Sequence, residues 1–432
     1  LGDVYKRQLR KKYREERDKR LRQDGNEQYQ EVSGEFSYFV EDPYVDEELS
    51  RDAIKEDAEV VIIGGGFGGM LAGARLREAG IDDFRIIEKG GDFGGTWYWN
   101  RYPGASCDIE SYIYFPLLEE TGFVPKQKYT NAPETLEYCK VICEKFNLYE
   151  NAYLQTEVTS TDWDEDSLRW TVKTNQGDEI KARYVVHSNG PLNRPKLPAI
   201  KGINDFKGHT FHTSRWDYEY TGGNSHGNLS NLKDKKVAII GTGATAVQCV
   251  PHLGESAEKL YVFQRTPNYS IPSNNGPMDK SVEKDVKSRY SQFRKDNYLN
   301  GFGIAAISDE SLISESDINE VNQQLEENWQ SAGLGFFGGY ADIPIDKEAN
   351  DVAANFVRNK IKDLVKDPET ASLLTPDYHI GGKRLCVDTG YFETFNRENV
   401  HLINLKMNPI KEVSACLLYT SDAADDTPCV DL

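Results

Sequence analysis

Two glycine-rich signatures carry the chemistry that this sequence states most openly. The first is Gly64-Gly65-Gly66-Phe67-Gly68-Gly69 and the second is Gly241-Thr242-Gly243-Ala244-Thr245-Ala246. Each follows a short apolar, β-branched run, EVVII at 59–63 and KKVAII at 235–240, of the kind buried in a parallel sheet. In the first, Gly64 permits the tight turn, Gly66 lets the backbone approach a pyrophosphate, and Gly69 lets the next helix pack on the strand. The helix N-terminus then faces the phosphates, and a second strand, FRII, ends in Glu88, placed to take ribose hydroxyls. In the second, Gly241, Gly243 and Ala246 hold the corresponding places, but no acid follows. The strand KLYVFQ ends in Gln264 and runs into Arg265 and Thr266. A carboxylate there would repel a 2′-phosphate and an arginine would pair with one, so the second site reads as NADP rather than NAD. Two different dinucleotide sites in one chain point to hydride transfer from NADPH to a flavin.

Two further stretches stand where they could serve that transfer. Residues 95–108, GTWYWNRYPGASCD, form a Gly/Pro loop whose aromatics, Trp97 among them, suit an isoalloxazine ring, and the loop ends on the carboxylate of Asp108. Residues 206–217, FKGHTFHTSRWD, lie between the two units. By themselves they fit a packed linker with a satisfied histidine. Between two cofactors they could also hand a reacting group from one to the other.

The remaining chain must position these residues. A length of 432 favours two or three domains. The composition is that of a soluble globular protein, 38% hydrophobic with a mean hydropathy of −0.63, and no apolar run approaches the ~20 residues of a membrane span. A formal net charge of −19 argues against nucleic acid or an anionic membrane as partner, so phosphate binding must rest on local features. Seven scattered cysteines include no Cys-x-x-Cys and no zinc-like spacing, which gives no metal site and fits a reducing, cytoplasmic setting. Cys139 and Cys143, four apart, read as one buried helix face. Residues 9–22 read as a solvated charged helix with acid-first pairs Glu15/Lys19, Glu16/Arg20 and Asp18/Arg22, and 23–57 as a wrap around the first domain. The stretch 182–202 is a strand followed by a Pro/Gly-rich crossover, 280–370 is helical, and RLCVD (384–388) and VHLIN (400–404) are strands. Residues 1–8 and the tail from about 416 break the pattern of their neighbours, resemble translated sequencing-adapter read-through, and are set outside the fold.

With these motifs in place, residues 10–414 resemble the Baeyer–Villiger monooxygenases. The linker matches that family's F-x-G-x-x-x-H-x-x-x-W-[PD] fingerprint through Phe206, Gly208, His212, Trp216 and Asp217, and the 95–108 loop matches its G-x-W-x-x-x-x-[FY]-P-G-x-x-x-D signature. The extension and CDIESYIYFPLLEETG look most like members that act on bulky, polycyclic or macrocyclic ketones. The resemblance implies an α/β fold of two Rossmann-like domains, one for FAD and one for NADP, the NADP domain being inserted in the FAD domain with a helical insertion of its own. It divides the chain into an N-terminal extension (1–57), a first FAD part (58–200), linker plus NADP domain (201–395), the start of a return to the FAD domain (396–415) and a non-native tail (416–432). Since family members continue with a late strand, another Gly motif and a helical part, it also implies C-terminal truncation.

The implied activity inserts one oxygen atom of O2 next to a ketone carbonyl through a peroxyflavin, giving an ester or lactone. Arg384 in the Lys383-Arg384 pair maps to the family's catalytic arginine, and Asp108 to the acid that orients it. Lys383, Arg265 and Thr266 would hold the 2′-phosphate, and Tyr114 matches a flavin-side tyrosine. His212 maps to a residue coupling the domains and Trp216 to hinge packing. At the crossover, Ser188-Asn189-Gly190 replaces a common A-T-G and keeps the glycine. The alternatives are an N- or S-oxygenating flavin monooxygenase, which the Trp-Asp ending of the fingerprint disfavours, and an inactive dinucleotide-binding fragment. A disulfide reductase lacks its paired redox cysteines here.

Overall fold

The N-terminal segment is fastened down by β1 (Tyr29–Gln30), which pairs antiparallel with β8 (Leu197–Pro198) on the crossover between the two units. The computed structural model describes residues 7, 10, 11, 13–15, 17, 18, 21, 24–300, 303, 304, 311–331, 333–420, 430 and 431. Of the charged segment at 9–22, the described residues from 10 to 18 are helical and Leu21 is not, and Lys11 reaches Glu15 one turn on at 3.8 Å. The pairs involving Glu16, Lys19, Arg20 and Arg22 lie outside the described residues.

The first unit is a six-stranded sheet in the order β4-β3-β2-β7-β6-β5. β2 (Lys55–Ile63), β3 (Phe84–Ile87), β4 (Ala152–Tyr153) and β7 (Glu179–His187) are parallel, and β5 (Val158–Asp164) and β6 (Arg169–Thr174) extend the sheet antiparallel. Val61 and Ile62 are fully buried, as a near-continuous apolar strand covered on both faces requires. The helix Phe67–Glu78 buries a face of small residues, Gly69, Gly73 and Ala74, against it. A Cβ at Gly73 would stand only 3.0 Å from Leu148 and 3.1 Å from Ile86. The helix Ala132–Lys145 starts at Asn131, whose side chain accepts from the Glu134 amide at 3.1 Å, and buries Cys139 and Cys143 on one face as expected.

The second unit is smaller. β9 (Lys236–Ile240), β10 (Lys259–Gln264) and β13 (Val400–Asn404) are all parallel, in the order β13-β10-β9. β11 (Ser270–Pro272) and β12 (Cys386–Asp388) form a separate parallel pair. Between them lie helices Lys280–Leu299, Ile318–Ser331, Lys347–Leu364 and Pro368–Leu374, in the region expected to be helical. Ala349, Ala353, Ala354, Val357 and Ile361 mark the buried stripe of the third, at helical spacing.

Two expectations need correcting. Residues 396–415 do not begin a return to the first sheet, because Val400–Asn404 pairs residue for residue with Leu260–Gln264. The tail is not wholly outside the fold either, since β14 (Ile410–Val413) pairs antiparallel with β15 (Leu417–Thr420) and Leu418 is buried against Phe263 and Val413. The first was missed because a short apolar strand does not disclose which sheet it joins, and the second because a break in sequence pattern does not preclude pairing with the neighbouring strand.

Candidate functional site

The first glycine turn is closed on itself. Gly64 has φ +105°, and a Cβ there would lie 2.6 Å from the Ser188 carbonyl oxygen. A Cβ on Gly69 would lie 1.9 Å from the Gly64 carbonyl oxygen, so no larger residue fits either position. Gly66 faces Gly95 across the turn. Beyond these glycines a cavity of about 410 Å³ opens at the C-terminal ends of β2 and β3, bounded among others by Gly64, Gly66, Glu88, Trp97, Tyr114 and Asn189. The indole NH of Trp97 donates to the Tyr114 hydroxyl at 2.9 Å, with the rings edge to face, so Tyr114 is part of this wall. Glu88 is buried, and its carboxylate accepts from the amides of Gly65 at 2.5 Å and Gly90 at 2.7 Å. Burial pushes its pKa up against the pull of those two amides. A glycine turn that admits no Cβ at Gly64 or Gly69, beside a carboxylate at the end of the next strand, fits a dinucleotide such as FAD. The loop is braced from outside by Asp42, which accepts from the Tyr98 hydroxyl at 2.7 Å and the Gly91 amide at 3.1 Å, a role no sequence signal disclosed.

The second turn is open. Gly241 has φ +110°, yet a Cβ at Gly241 or Gly243 would meet nothing within 4 Å, while Ala246 is buried in the core behind. The Thr242 hydroxyl donates to the Thr266 carbonyl at 2.8 Å, tying the turn to the end of β10. Gln264 points inward and donates to the Leu373 carbonyl at 2.8 Å, which leaves Arg265 as the exposed polar group at the strand end. The Lys383 ammonium sits 4.8 Å above the Tyr378 ring, whose hydroxyl bonds to Pro267 and Asn268, so this lysine stands over the loop that follows Thr266. An open glycine turn flanked by cations fits NADP.

Arg384 and Asp108 meet although 276 residues separate them: Nη2 of the arginine donates to Oδ2 of the carboxylate. Asp108 is nearly enclosed, its side chain 13% exposed, whereas Arg384 keeps 64% of its side chain open. Burial lowers the guanidinium pKa and Asp108 more than offsets this, so Arg384 is held charged. The loop carrying Asp108 belongs physically to both units. Trp97, Tyr102 and Cys107 pack in one core with Val247, Cys249 and Val250 of the second unit. The Tyr102 hydroxyl donates to Gln248 at 2.7 Å, Gln248 donates to the Ser106 carbonyl at 3.1 Å, and Gly104 (φ +80°) passes so close to the Gln248 carbonyl that a Cβ would be 2.4 Å away. Gln248 was invisible in the sequence because a polar residue on a helix carries no mark of its partner.

The fingerprint residues line a different space. Phe206, Gly208, His212 and Trp216 border a cavity of about 670 Å³ against β9. Asp217 caps the turn beside it, accepting from the Tyr220 amide at 2.9 Å and pairing with His209 at 2.8 Å. His212 Nδ1 accepts from the Ser214 amide at 3.2 Å, and burial together with the Arg215 charge lowers the imidazole pKa to about 4, so the ring is neutral near pH 7. Trp216 is buried and donates to the Thr221 hydroxyl at 3.1 Å. The tie from this linker to the first cavity is Arg215, which the motif does not specify. Its buried guanidinium lies 3.8 Å over Trp99 and donates to the carbonyls of Glu41 at 3.2 Å and Asn193 at 3.3 Å, and both Trp99 and Asn193 line the first cavity.

Residues 61–333 match the family model described as pyridine nucleotide-disulphide oxidoreductase, which covers more than half of the chain. No cysteine among the described residues stands in a disulfide. The chain is 44% identical over 417 residues to neopentalenolactone D synthase of Streptomyces avermitilis, an alignment covering 94% of this chain and 68% of the relative. It is 44% identical over 437 residues to Baeyer-Villiger monooxygenase ATR8 of Stachybotrys chlorohalonatus, covering 96% and 68%. Among solved structures it is similar to an oxidized steroid monooxygenase bound to NADP, with TM-score 0.78, 38% identity, and coverage of 85% and 69%. It is also similar to OTEMO in complex with FAD and NADP, with TM-score 0.80, 35% identity, and coverage of 85% and 70%. Likeness at this level over nearly the whole chain, joined to one closed and one open dinucleotide cradle, shows that the chain belongs to the Baeyer–Villiger monooxygenases.

Proposed function

We propose that this protein converts a ketone, O2, NADPH and a proton into an ester or lactone, NADP+ and water, with FAD in the first cradle and NADPH in the second. FAD, when bound, takes the hydride from NADPH and activates O2. The observation that carries the reading is the Asp108–Arg384 pair at the junction of the two units. Addition to a ketone carbonyl puts negative charge on its oxygen, and a fixed cation stabilises that charge most where it need not reorganise. Arg384 supplies five donors and a charge that survives partial burial. Asp108, nearly enclosed on a loop pinned to Gln248, holds the guanidinium in place while leaving its open side to the reactants. Glu88, held by the Gly65 amide of the glycine turn and the Gly90 amide of its own loop, takes ribose hydroxyls in the first cradle. Arg265, Thr266 and Lys383 read the 2′-phosphate in the second. Trp97 and Tyr114 form the aromatic wall of the first cavity and limit water there. The similar steroid monooxygenase favours a bulky polycyclic ketone as substrate.

The test uses flavin-loaded protein and a panel of polycyclic and macrocyclic ketones. Ester formation should depend on NADPH, and Arg384→Ala should lower it about 10²-fold or more while NADPH still bleaches the flavin absorbance. Parental ester formation by Arg384→Ala would sink the role given to that residue, and sulfide or amine oxidation without any ketone activity would sink the reaction class.

A further inference from the structure

The N-terminal segment reaches the second cradle. Gln28 lies at the end of the turn Gly25–Gln28, directly before β1, and its Oε1 accepts from Arg265 Nη1 at 2.9 Å, across 237 residues of sequence. We infer that Gln28 is a specificity-determining positioning residue for the NADP 2′-phosphate, acting through Arg265. This rests on the reading of Arg265 given above.

Three features hold the amide in this orientation. The Gln28 carbonyl accepts from the Ala199 amide at 3.0 Å. Its side-chain Nε2 donates to the Gly25 carbonyl at 2.6 Å. With a carbonyl facing one end of the amide and a guanidinium facing the other, only one assignment of its oxygen and nitrogen satisfies both partners. The next residues are then locked by β1–β8 pairing, Tyr29 opposite Pro198 and Gln30 opposite Leu197, and by Lys196 to Glu31 at 3.6 Å. The acceptor offered to Arg265 is therefore fixed before any ligand arrives.

Its neutrality matters as much as its position. The chain carries 70 acidic residues against 51 basic, yet among the described residues the hydrogen-bond partner of Arg265 is an amide and no carboxylate lies within ion-pair distance. A carboxylate would orient the guanidinium equally well but neutralise it, and would repel a phosphate dianion. An amide takes one of the five donors, restricts the side chain, and leaves the charge and the remaining fork for the ligand. An exposed arginine without such a partner would spread over many rotamers and lose more entropy on binding.

The experiment measures the Kd of flavin-loaded protein for NADP+, NAD+ and 2′,5′-ADP by titration calorimetry. Gln28→Ala should weaken NADP+ and 2′,5′-ADP about 3- to 10-fold and leave NAD+ within about twofold. Gln28→Glu should weaken both phosphate-bearing probes further, by more than about tenfold, because it pairs with Arg265. Equal weakening of NADP+ and NAD+ would show a purely structural contact and overturn the inference. So would parental affinity in both Gln28 variants when Arg265→Ala has lost NADP+ selectivity. If Arg265→Ala itself binds NADP+ as the parent does, the reading of the second cradle fails first and takes the inference with it.

Discussion

A Cβ on Gly64 or Gly69 would stand 2.6 or 1.9 Å from a backbone carbonyl oxygen, whereas one on Gly241 or Gly243 would meet nothing within 4 Å. The first glycines of the two turns nevertheless have nearly the same backbone, φ +105° and +110°. The signature thus specifies the turn, and the surroundings decide how the turn is used. The first is roofed by the Ser188–Asn193 crossover and the Gly94–Trp97 loop, and buttressed by Asp42 through Tyr98. A group held there is hemmed in from several sides, as suits a cofactor that stays through turnover. The second lies open beside exposed Arg265, as suits one that enters and leaves with each cycle.

The sharpest way to break this contrast is a glycine-to-alanine change in each turn, at the third signature position of the first and at the second of the other, whose third is already Ala246. Gly69→Ala drives a methyl into the Gly64 carbonyl and should cost about 3 kcal/mol or more, with a lowered thermal midpoint and loss of flavin absorbance after gel filtration. Gly243→Ala should change stability by less than about 0.5 kcal/mol and retain the flavin, with NADP+ binding weakened. Matching thermal midpoints for the two variants would erase the distinction between a closed and an open cradle.

A smaller effect is expected at Arg215, which ties the linker to the first cavity rather than the second. Arg215→Met leaves the carbonyls of Glu41 and Asn193 without their donor and should cost about 2 kcal/mol, and Arg215→Lys should recover part of that. Flavin affinity should fall while the Kd for NADP+ in flavin-loaded protein holds. The reverse pattern, with NADP+ affinity lost and flavin untouched, would assign the linker to the open cradle instead.

What could be read from sequence follows the range of the interactions concerned. The turns, their flanking strands and the missing acid at Gln264 were legible because strand, glycine turn and helix are contiguous and each residue's role is local. The Asp108–Arg384 pair was reachable only through resemblance, since nothing in either segment names a partner 276 residues away. Gln248, Asp42, Gln28 and Arg215 were missed for the same reason, each being a polar residue in an ordinary context whose meaning lies in the chain that folds against it. The strand Val400–Asn404 was recognised as a strand but given to the wrong sheet, because its apolar run fits either one.

His212 offers the smallest and most specific test, and it bears on which side of the contrast the linker belongs to. The ring lies in the wall of the cavity against β9, with Nδ1 committed to the Ser214 amide. Burial first, then the Arg215 charge, lower its pKa from 6.5 to about 4. A group with a depressed folded pKa contributes its full stability above the unfolded value and loses it as pH falls toward the folded one. From pH 8 to pH 5.5 this histidine should therefore withdraw about 1 kcal/mol, and nearer pH 4 about 3 kcal/mol. His212→Asn keeps an acceptor suited to capping the Thr213–Arg215 turn but cannot titrate. Its thermal midpoint should fall less steeply than the parent's between pH 8 and 5.5, with the two differing most at the acid end. Parallel curves would mean that the imidazole is hydrated in the folded protein, and the linker would then be a surface strap over the second unit rather than part of its packed wall.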